Sequence, residues 1–422
     1  MRASSSQEQG RLKRVVAILD FALVLALAVA LLAWLFDPFR LTLGPARLTV
    51  GWGLKPLVVP FALLLARIAA GRSLPLPRRS GLSRVALALA AVLLPLAAID
   101  GALALAGVKP GEAVFVVRGE GGEAVRADGS MVSDAVLLWK FQPGVDFNGR
   151  RVNKHGFLDR EIDAKKAPGV RRIICMGDSC TAQGAPTYAG HLNRLLQENP
   201  PGPGSWEAFN TGVHGYTVLQ GLALFRERVG GFEPDIVTIY FGWNDHWLAE
   251  DTDAERMARA GSAWQTALRN ALAKKRLRAW LAPSPDREPG ATRLRVAPDE
   301  YHRGLADLIG EIRAAGATPL VLAAPRAATI HRGIVHGGHA RSVDEAISLH
   351  DQYLAIAREV AAREDARVLD LADIMDGEDD RGSFSKDGIH LTDAGLQRVA
   401  ELIDADVRKI AEQLQEPSEP ST

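Results

Sequence analysis

From Pro168 onward, short apolar runs of strand character alternate with amphipathic helical runs. No other feature of the chain constrains its fold as much. The strand-like runs are 172–176, 206–210, 236–241, 320–324 and 367–371, and the helix-like runs are 188–198, 218–228, 300–315, 343–362 and 394–414. Strands that alternate with helices predict an α/β fold, a parallel sheet covered by helices on both faces. Ligands of such sheets sit at the carboxyl ends of the strands. The loops that follow the strands are therefore where chemistry is expected.

Those loops carry a distinctive set of residues. The first strand runs into Gly177-Asp178-Ser179-Cys180, the second into Asn210-Thr211-Gly212-Val213-His214-Gly215, and the third into Gly242-Trp243-Asn244-Asp245. Asp387-Gly388-Ile389-His390 stands just before the last helical run. Each block alone has an ordinary explanation: a serine after a strand caps a helix, and Gly or Asn-Asp closes a turn. Their common place at one sheet edge, in the order Ser, Gly, Asn, Asp-x-x-His, is what points to catalysis.

In these four blocks the stretch 170–414 resembles the SGNH (GDSL) hydrolases. The stretch Asn153-Lys154-His155-Gly156-Phe157-Leu158-Asp159 is similar to the lead-in of membrane-anchored members. The resemblance implies a three-layer, flavodoxin-like parallel sheet and a serine esterase. The residue chemistry fits. A serine hydroxyl needs an adjacent base; Ser179 would be the nucleophile and His390 the base. Asp387, three residues earlier, would fix the imidazole tautomer and raise the histidine pKa above its free value of about 6.5. The family pattern supplies the oxyanion donors as the backbone N–H of Ser179, the backbone N–H of Gly215 and the Asn244 side chain, with Gly212 competing for the glycine role. No G-x-S-x-G occurs, which excludes the α/β-hydrolase elbow.

Other residues have simpler readings. Gly119-Glu120-Gly121-Gly122-Glu123-Ala124 matches a dinucleotide fingerprint only on paper, because turn residues follow it where a helix is required; a hairpin is expected. His331, His336 and His339 lack an acidic or cysteine partner at ligand spacing. Cys175 reads as a buried strand residue. Cys180 is a second candidate thiol, whose reactivity depends on a lowered pKa. The segment 254–280 has a helical pattern with Lys274, Lys275, Arg276 and Arg278, and reads as a solvated decoration or a lid.

The first quarter of the chain is far more apolar than the rest. Runs 15–36, 48–70 and 85–108 are each long enough for the roughly 20 residues that span a bilayer, although the middle one contains Lys55, Pro56, Pro60 and Arg67. Asp37-Pro38-Phe39-Arg40 after the first run is not a small-residue cleavage site. Basic clusters at Arg11–Arg14 and Arg72–Arg84 would face the cytoplasm under the positive-inside rule. The expected plan is a cytoplasmic tail at 1–14, a transmembrane region of about three helices at 15–108, a β-rich lead-in at 109–168, the hydrolase domain at 169–414 and a disordered tail at 415–422. That plan puts the domain on the exoplasmic or periplasmic face of the cell (inner) membrane.

The 422 residues carry zero net charge, so no basic surplus argues for a nucleic-acid partner, and two cysteines exclude a disulfide scaffold. The expected function is a membrane-embedded serine esterase acting on a short acyl ester, an acetyl, of an envelope glycan or glycolipid. The tethering argument rests on effective concentration at the membrane surface. An O-acyltransferase, a lysophospholipase or lipase, and a non-catalytic carbohydrate- or lipid-binding module are the alternatives. No metal or organic cofactor is implied.

Overall fold

The computed structural model describes residues 130–249, 251–260, 293–376 and 382–415, and parts of 14–27, 39–50, 62–66, 95–106, 116–126 and 263–266. The chain divides into two compact units. One comprises 1–112 with 267–283, and the other 113–266 with 284–422.

In the first unit, β1 (Phe39–Leu43) and β2 (Ala46–Val50) pair as an antiparallel hairpin. Helix is present within 14–27. Here the expected membrane anchor is corrected: among the described residues, no helix is long and apolar enough to cross a membrane. The start of run 48–70 lies in β2, an extended strand. The remaining parts of runs 15–36, 48–70 and 85–108 lie outside the described residues. With the anchor go the membrane-anchored family variant, the membrane-embedded partner and the exoplasmic placement. The tethering argument for an envelope glycan rested on the same spans and goes with them.

The second unit begins with hairpins. β3 (Val116–Arg118) and β4 (Ala124–Arg126) pair antiparallel around the Gly-rich stretch 119–123. Next come β5 (Met131–Asp134) with β6 (Leu138–Phe141), and β7 (Asp146–Phe147) with β8 (Arg150–Arg151). The main sheet has five parallel strands: β9 (Val170–Gly177), β10 (Ser205–Asn210), β11 (Ile236–Tyr240), β14 (Thr318–Leu322) and β15 (Arg367–Leu369). Their spatial order is β10-β9-β11-β14-β15, the 2-1-3-4-5 order of a flavodoxin-like sheet. A short antiparallel pair, β12 (Leu248–Ala249) with β13 (Arg293–Leu294), lies between β11 and β14 in sequence.

Period-2 alternation explains why β9 is buried throughout its length after Arg171. Ile173 and Cys175 enter one core cluster, and Ile174 and Met176 enter the other. The first of these clusters is closed by α2 (Tyr188–Glu198) and α9 (Asp393–Gln415), through Leu192, Leu196, Val399 and Ile403. The second takes α3 (Val218–Glu227), α5 (Pro298–Ala314) and α7 (Val343–Arg363), through Leu222, Leu308, Ile312 and Val360; the short helices α6 (Gly333–His336) and α8 (Leu371–Ile374) stand before and after α7 in the chain. Each fully buried Leu or Ile contributes about 1.5–3 kcal/mol. The two filled faces therefore fix the sheet and, with it, the loops at its carboxyl edge. Of the 254–280 segment, α4 (Asp253–Ala258) is described. Its basic run 274–278 and the tail from 416 lie outside the described residues.

Candidate active site

Ser179 opens the short helix α1 (Ser179–Ala182) at the end of β9. The turn is possible because Gly177 has no side chain: a Cβ there would stand 2.1 Å from Thr181 Oγ1 and 2.6 Å from the Tyr240 carbonyl oxygen. Asp178 caps the helix, its carboxylate accepting from the Cys180 N–H at 2.8 Å. Burial pushes the Asp178 carboxyl up to about 7, against the opposing effect of its hydrogen bonds from Cys180 and Asn244.

His390 reaches this turn from the loop ahead of α9. Its Nε2 is 2.8 Å from Ser179 Oγ, and its Nδ1 is 3.3 Å from Asp387 Oδ2. Asp387 Oδ1 accepts the backbone N–H groups of Ile389 at 2.6 Å and His390 at 2.7 Å. One carboxylate oxygen thus ties the loop while the other faces the imidazole. The histidine-rich segment braces the same loop, with Ala327 N–H donating to Gly388 O at 2.9 Å and His331 N–H to Asp387 O at 3.0 Å. His331 Nδ1 accepts from Gly333 N–H, and His339 stacks on Trp247. The expectation that Asp387 would raise the histidine pKa is corrected: burial disfavours the imidazolium and pushes His390 down to about 4.

Asn244 is almost fully buried after β11. Its Nδ2 donates to Asp178 Oδ2 at 2.9 Å and to Tyr216 O at 3.1 Å, and its Oδ1 is buried without a hydrogen-bond partner. Ser179, His390 and Asp387 therefore form one chain of contacts. Asn244 joins them through Asp178 and meets the residue after Gly215. The two candidate glycines differ. Gly212 N–H donates to Asn210 Oδ1 at 2.9 Å, and a Cβ there would press on α1, 2.7 Å from Ala182 N. Gly215 has a φ of +77°, and its carbonyl accepts from Arg295 Nη1 at 2.8 Å.

Cys175 and Cys180 are both free and buried. Burial raises both thiols, Cys175 to about 12. Neither has the lowered pKa that a reactive cysteine needs.

Several residues around the site carry no role in the sequence reading. Asp178 was legible as a helix cap, since an acidic residue follows a strand and precedes a helix. Trp139, Asp253 and Arg295 had no such signal. Arg295 pairs with Asp253 (Nη2 to Oδ2 2.6 Å) and donates to Gln220 Oε1 at 3.1 Å. Thr217 Oγ1 donates to Asp253 Oδ2 at 3.0 Å. The Arg295 N–H also donates to Trp247 O at 2.8 Å, and Val296 N–H to Asp245 O at 2.9 Å. The segment after β13 is thereby knitted to the Asn244 loop.

The chain is similar, at low identity, to several solved hydrolases. A lipase/acylhydrolase from Enterococcus faecalis shares 19% identity over 57% of this chain and 96% of its own, with a TM-score of 0.38. A GDSL-like lipase from Bacteroides thetaiotaomicron shares 17% over 57% and 89%, with a TM-score of 0.36. An acetylxylan esterase from Geobacillus stearothermophilus shares 18% over 56% and 94%, with a TM-score of 0.37. No curated protein matches the chain. Residues 175–398, more than half of the sequence, match the GDSL-like Lipase/Acylhydrolase family and include all four blocks. The chain therefore belongs to the GDSL-like lipase/acylhydrolase family, a family of hydrolases.

Proposed function

We propose that the chain is a serine esterase that hydrolyses a carboxylic ester through an acyl-Ser179 intermediate. The observation that carries this reading is the 2.8 Å contact of Ser179 Oγ with His390 Nε2, backed by Asp387 on the same loop. A neutral imidazole accepts the hydroxyl proton as Ser179 Oγ bonds to the ester carbonyl carbon. The burial that holds His390 unprotonated favours that state. Asp387 stabilises the imidazolium that forms. The proton then passes to the leaving alkoxide as the C–O bond breaks, which leaves Ser179 acylated. Water repeats the sequence, with His390 again taking the proton, and releases the carboxylic acid.

The carbonyl oxygen gains negative charge at each attack and needs fixed donors. The Ser179 and Gly215 N–H groups and the Asn244 amide are assigned that role. Gly215 is favoured over Gly212, whose N–H is already spent on Asn210. Asn244 would exchange its longer contact, to Tyr216 O at 3.1 Å, for the oxyanion while keeping Asp178. The test is a panel of carboxylic esters assayed with wild type and Ser179→Ala side by side. Turnover that vanishes in the variant supports the reading, and equal turnover in a clean, folded preparation overturns it.

A further inference from the structure

Trp139 belongs to β6, outside the residues 175–398 that match the family. It is nonetheless packed against the loop after β10. Its Nε1–H donates to the His214 carbonyl oxygen at 3.0 Å. That carbonyl and the Gly215 N–H belong to the same peptide unit. The unit is planar and trans, so its C=O and N–H point in opposite directions. A donor that pins the oxygen on one side therefore sets the direction of the Gly215 N–H on the other.

This peptide needs holding from outside. Gly215 sits in the left-handed region, where glycine is free to turn. Trp139 Cζ2 stands 3.3 Å from the place a Cβ would occupy, so the indole plane closes the open side of the glycine. The following peptide is pinned as well, by Arg295 Nη1 on Gly215 O. Trp139 is itself fixed. Its backbone carbonyl accepts from Tyr216 Oη at 2.6 Å, and the Arg256 and Arg295 guanidinium groups lie 5.4 and 5.6 Å from its ring centre. Trp139 is buried, at 5% exposure, which limits competition from water for its N–H.

We propose that Trp139 is a positioning residue for ester hydrolysis: its indole N–H holds the His214–Gly215 peptide so that the Gly215 N–H faces the oxyanion. The proposal rests on the serine-esterase reading with Gly215 as a donor. It gives the β-rich lead-in a part in catalysis through Trp139, which acts on the His214–Gly215 peptide and not on the reacting atoms. Losing one oxyanion donor outright costs about 10²–10³ in kcat. A donor that is present but no longer aimed should cost less, about 10- to 100-fold.

The experiment uses the full chain with benzothienylalanine in place of Trp139, which keeps the ring shape and removes the N–H. Trp139→Phe serves as a second variant, and Ser179→Ala is run alongside. The expected result is a kcat lowered by about 10- to 100-fold with KM and melting temperature near wild type. Affinity for a trifluoromethyl ketone, which forms a tetrahedral adduct, should fall in parallel. Wild-type kcat in a folded Trp139 variant, or a change confined to KM, overturns the positioning role while an inactive Ser179→Ala leaves the esterase reading intact. Turnover that survives in Ser179→Ala overturns the esterase reading itself.

Discussion

Replacing Arg295 by methionine removes one half of a buried ion pair and leaves Asp253, whose side chain is fully buried, with a charge and fewer partners. Breaking a buried pair from one side costs about 3–5 kcal/mol, because the remaining charge loses its compensation. Four contacts go at once: Nη2 to Asp253 Oδ2 at 2.6 Å, Nε to Asp253 Oδ1 at 3.3 Å, Nη2 to Gln220 Oε1 at 3.1 Å and Nη1 to Gly215 O at 2.8 Å. Arg256 Nη1 still holds Asp253 Oδ1 at 3.0 Å, which places the loss at the lower end, about 3 kcal/mol. At roughly 2–4 °C per kcal/mol for a domain of this size, the melting temperature should drop by about 10 °C.

The assay is denaturant unfolding at neutral pH of wild type, Arg295→Met and the double variant Arg295→Met/Asp253→Asn. The double variant should recover much of the loss, since no unpaired charge remains buried. Acid gives a second handle on the same pair. Burial alone would raise the Asp253 carboxyl, but the charges of Arg295 and Arg256 more than offset it, so the group lies below its usual value. A depressed carboxylate adds stability above the unfolded-state pKa, and that stability is lost as pH falls through the folded-state value. The stability gap between wild type and Arg295→Met should therefore narrow below about pH 4. A single-variant cost below about 1 kcal/mol, or a double variant no more stable than the single, would refute the reasoning.

Asn244→Ala should lower kcat by about 10² to 10³ with a smaller effect on KM, the range for one lost oxyanion donor; a variant altered only in KM would mean that Asn244 binds substrate without stabilising the transition state. Activity should fall on acidification as His390 gains a proton. Because burial pushes that group down to about 4, the acid limb of kcat/KM in folded enzyme should lie below the free-histidine value of about 6.5. A midpoint above that value would show that the Asp387 carboxylate outweighs burial.

Much of the catalytic unit was legible because its signals are local. The helix at Tyr188–Glu198 begins and ends where the sequence pattern places it, and the four loop blocks fall at the carboxyl edge of the sheet. Strand β14 starts two residues earlier than its apolar run suggests, because Thr318 and Pro319 pair with β11 despite the proline. Strand β15 stops at Leu369, since Asp370 turns the chain by accepting from the Asp373 N–H as a helix cap. Contacts made at long range left no trace. Trp139 and His214 are 75 residues apart, and Arg295 and Gly215 are 80 apart; no periodicity links such pairs.

The membrane reading failed for another reason. Hydropathy counts apolar side chains without asking how the backbone is paired. The Gly44-Pro45 step, a turn signal in sequence, lies between two strands that form a hairpin at the start of the middle run. The histidine pKa was misjudged in the same way: Asp387 is visible three residues before His390, whereas the burial that dominates comes from the whole fold.

The most direct test of the account is to treat the full-length protein with a fluorophosphonate, which phosphonylates an activated serine, and to locate the adduct by peptide mass. The account predicts a single adduct on Ser179, formed in step with loss of esterase activity and absent from Ser179→Ala. An adduct on another residue, or full inactivation with Ser179 unmodified, would contradict it.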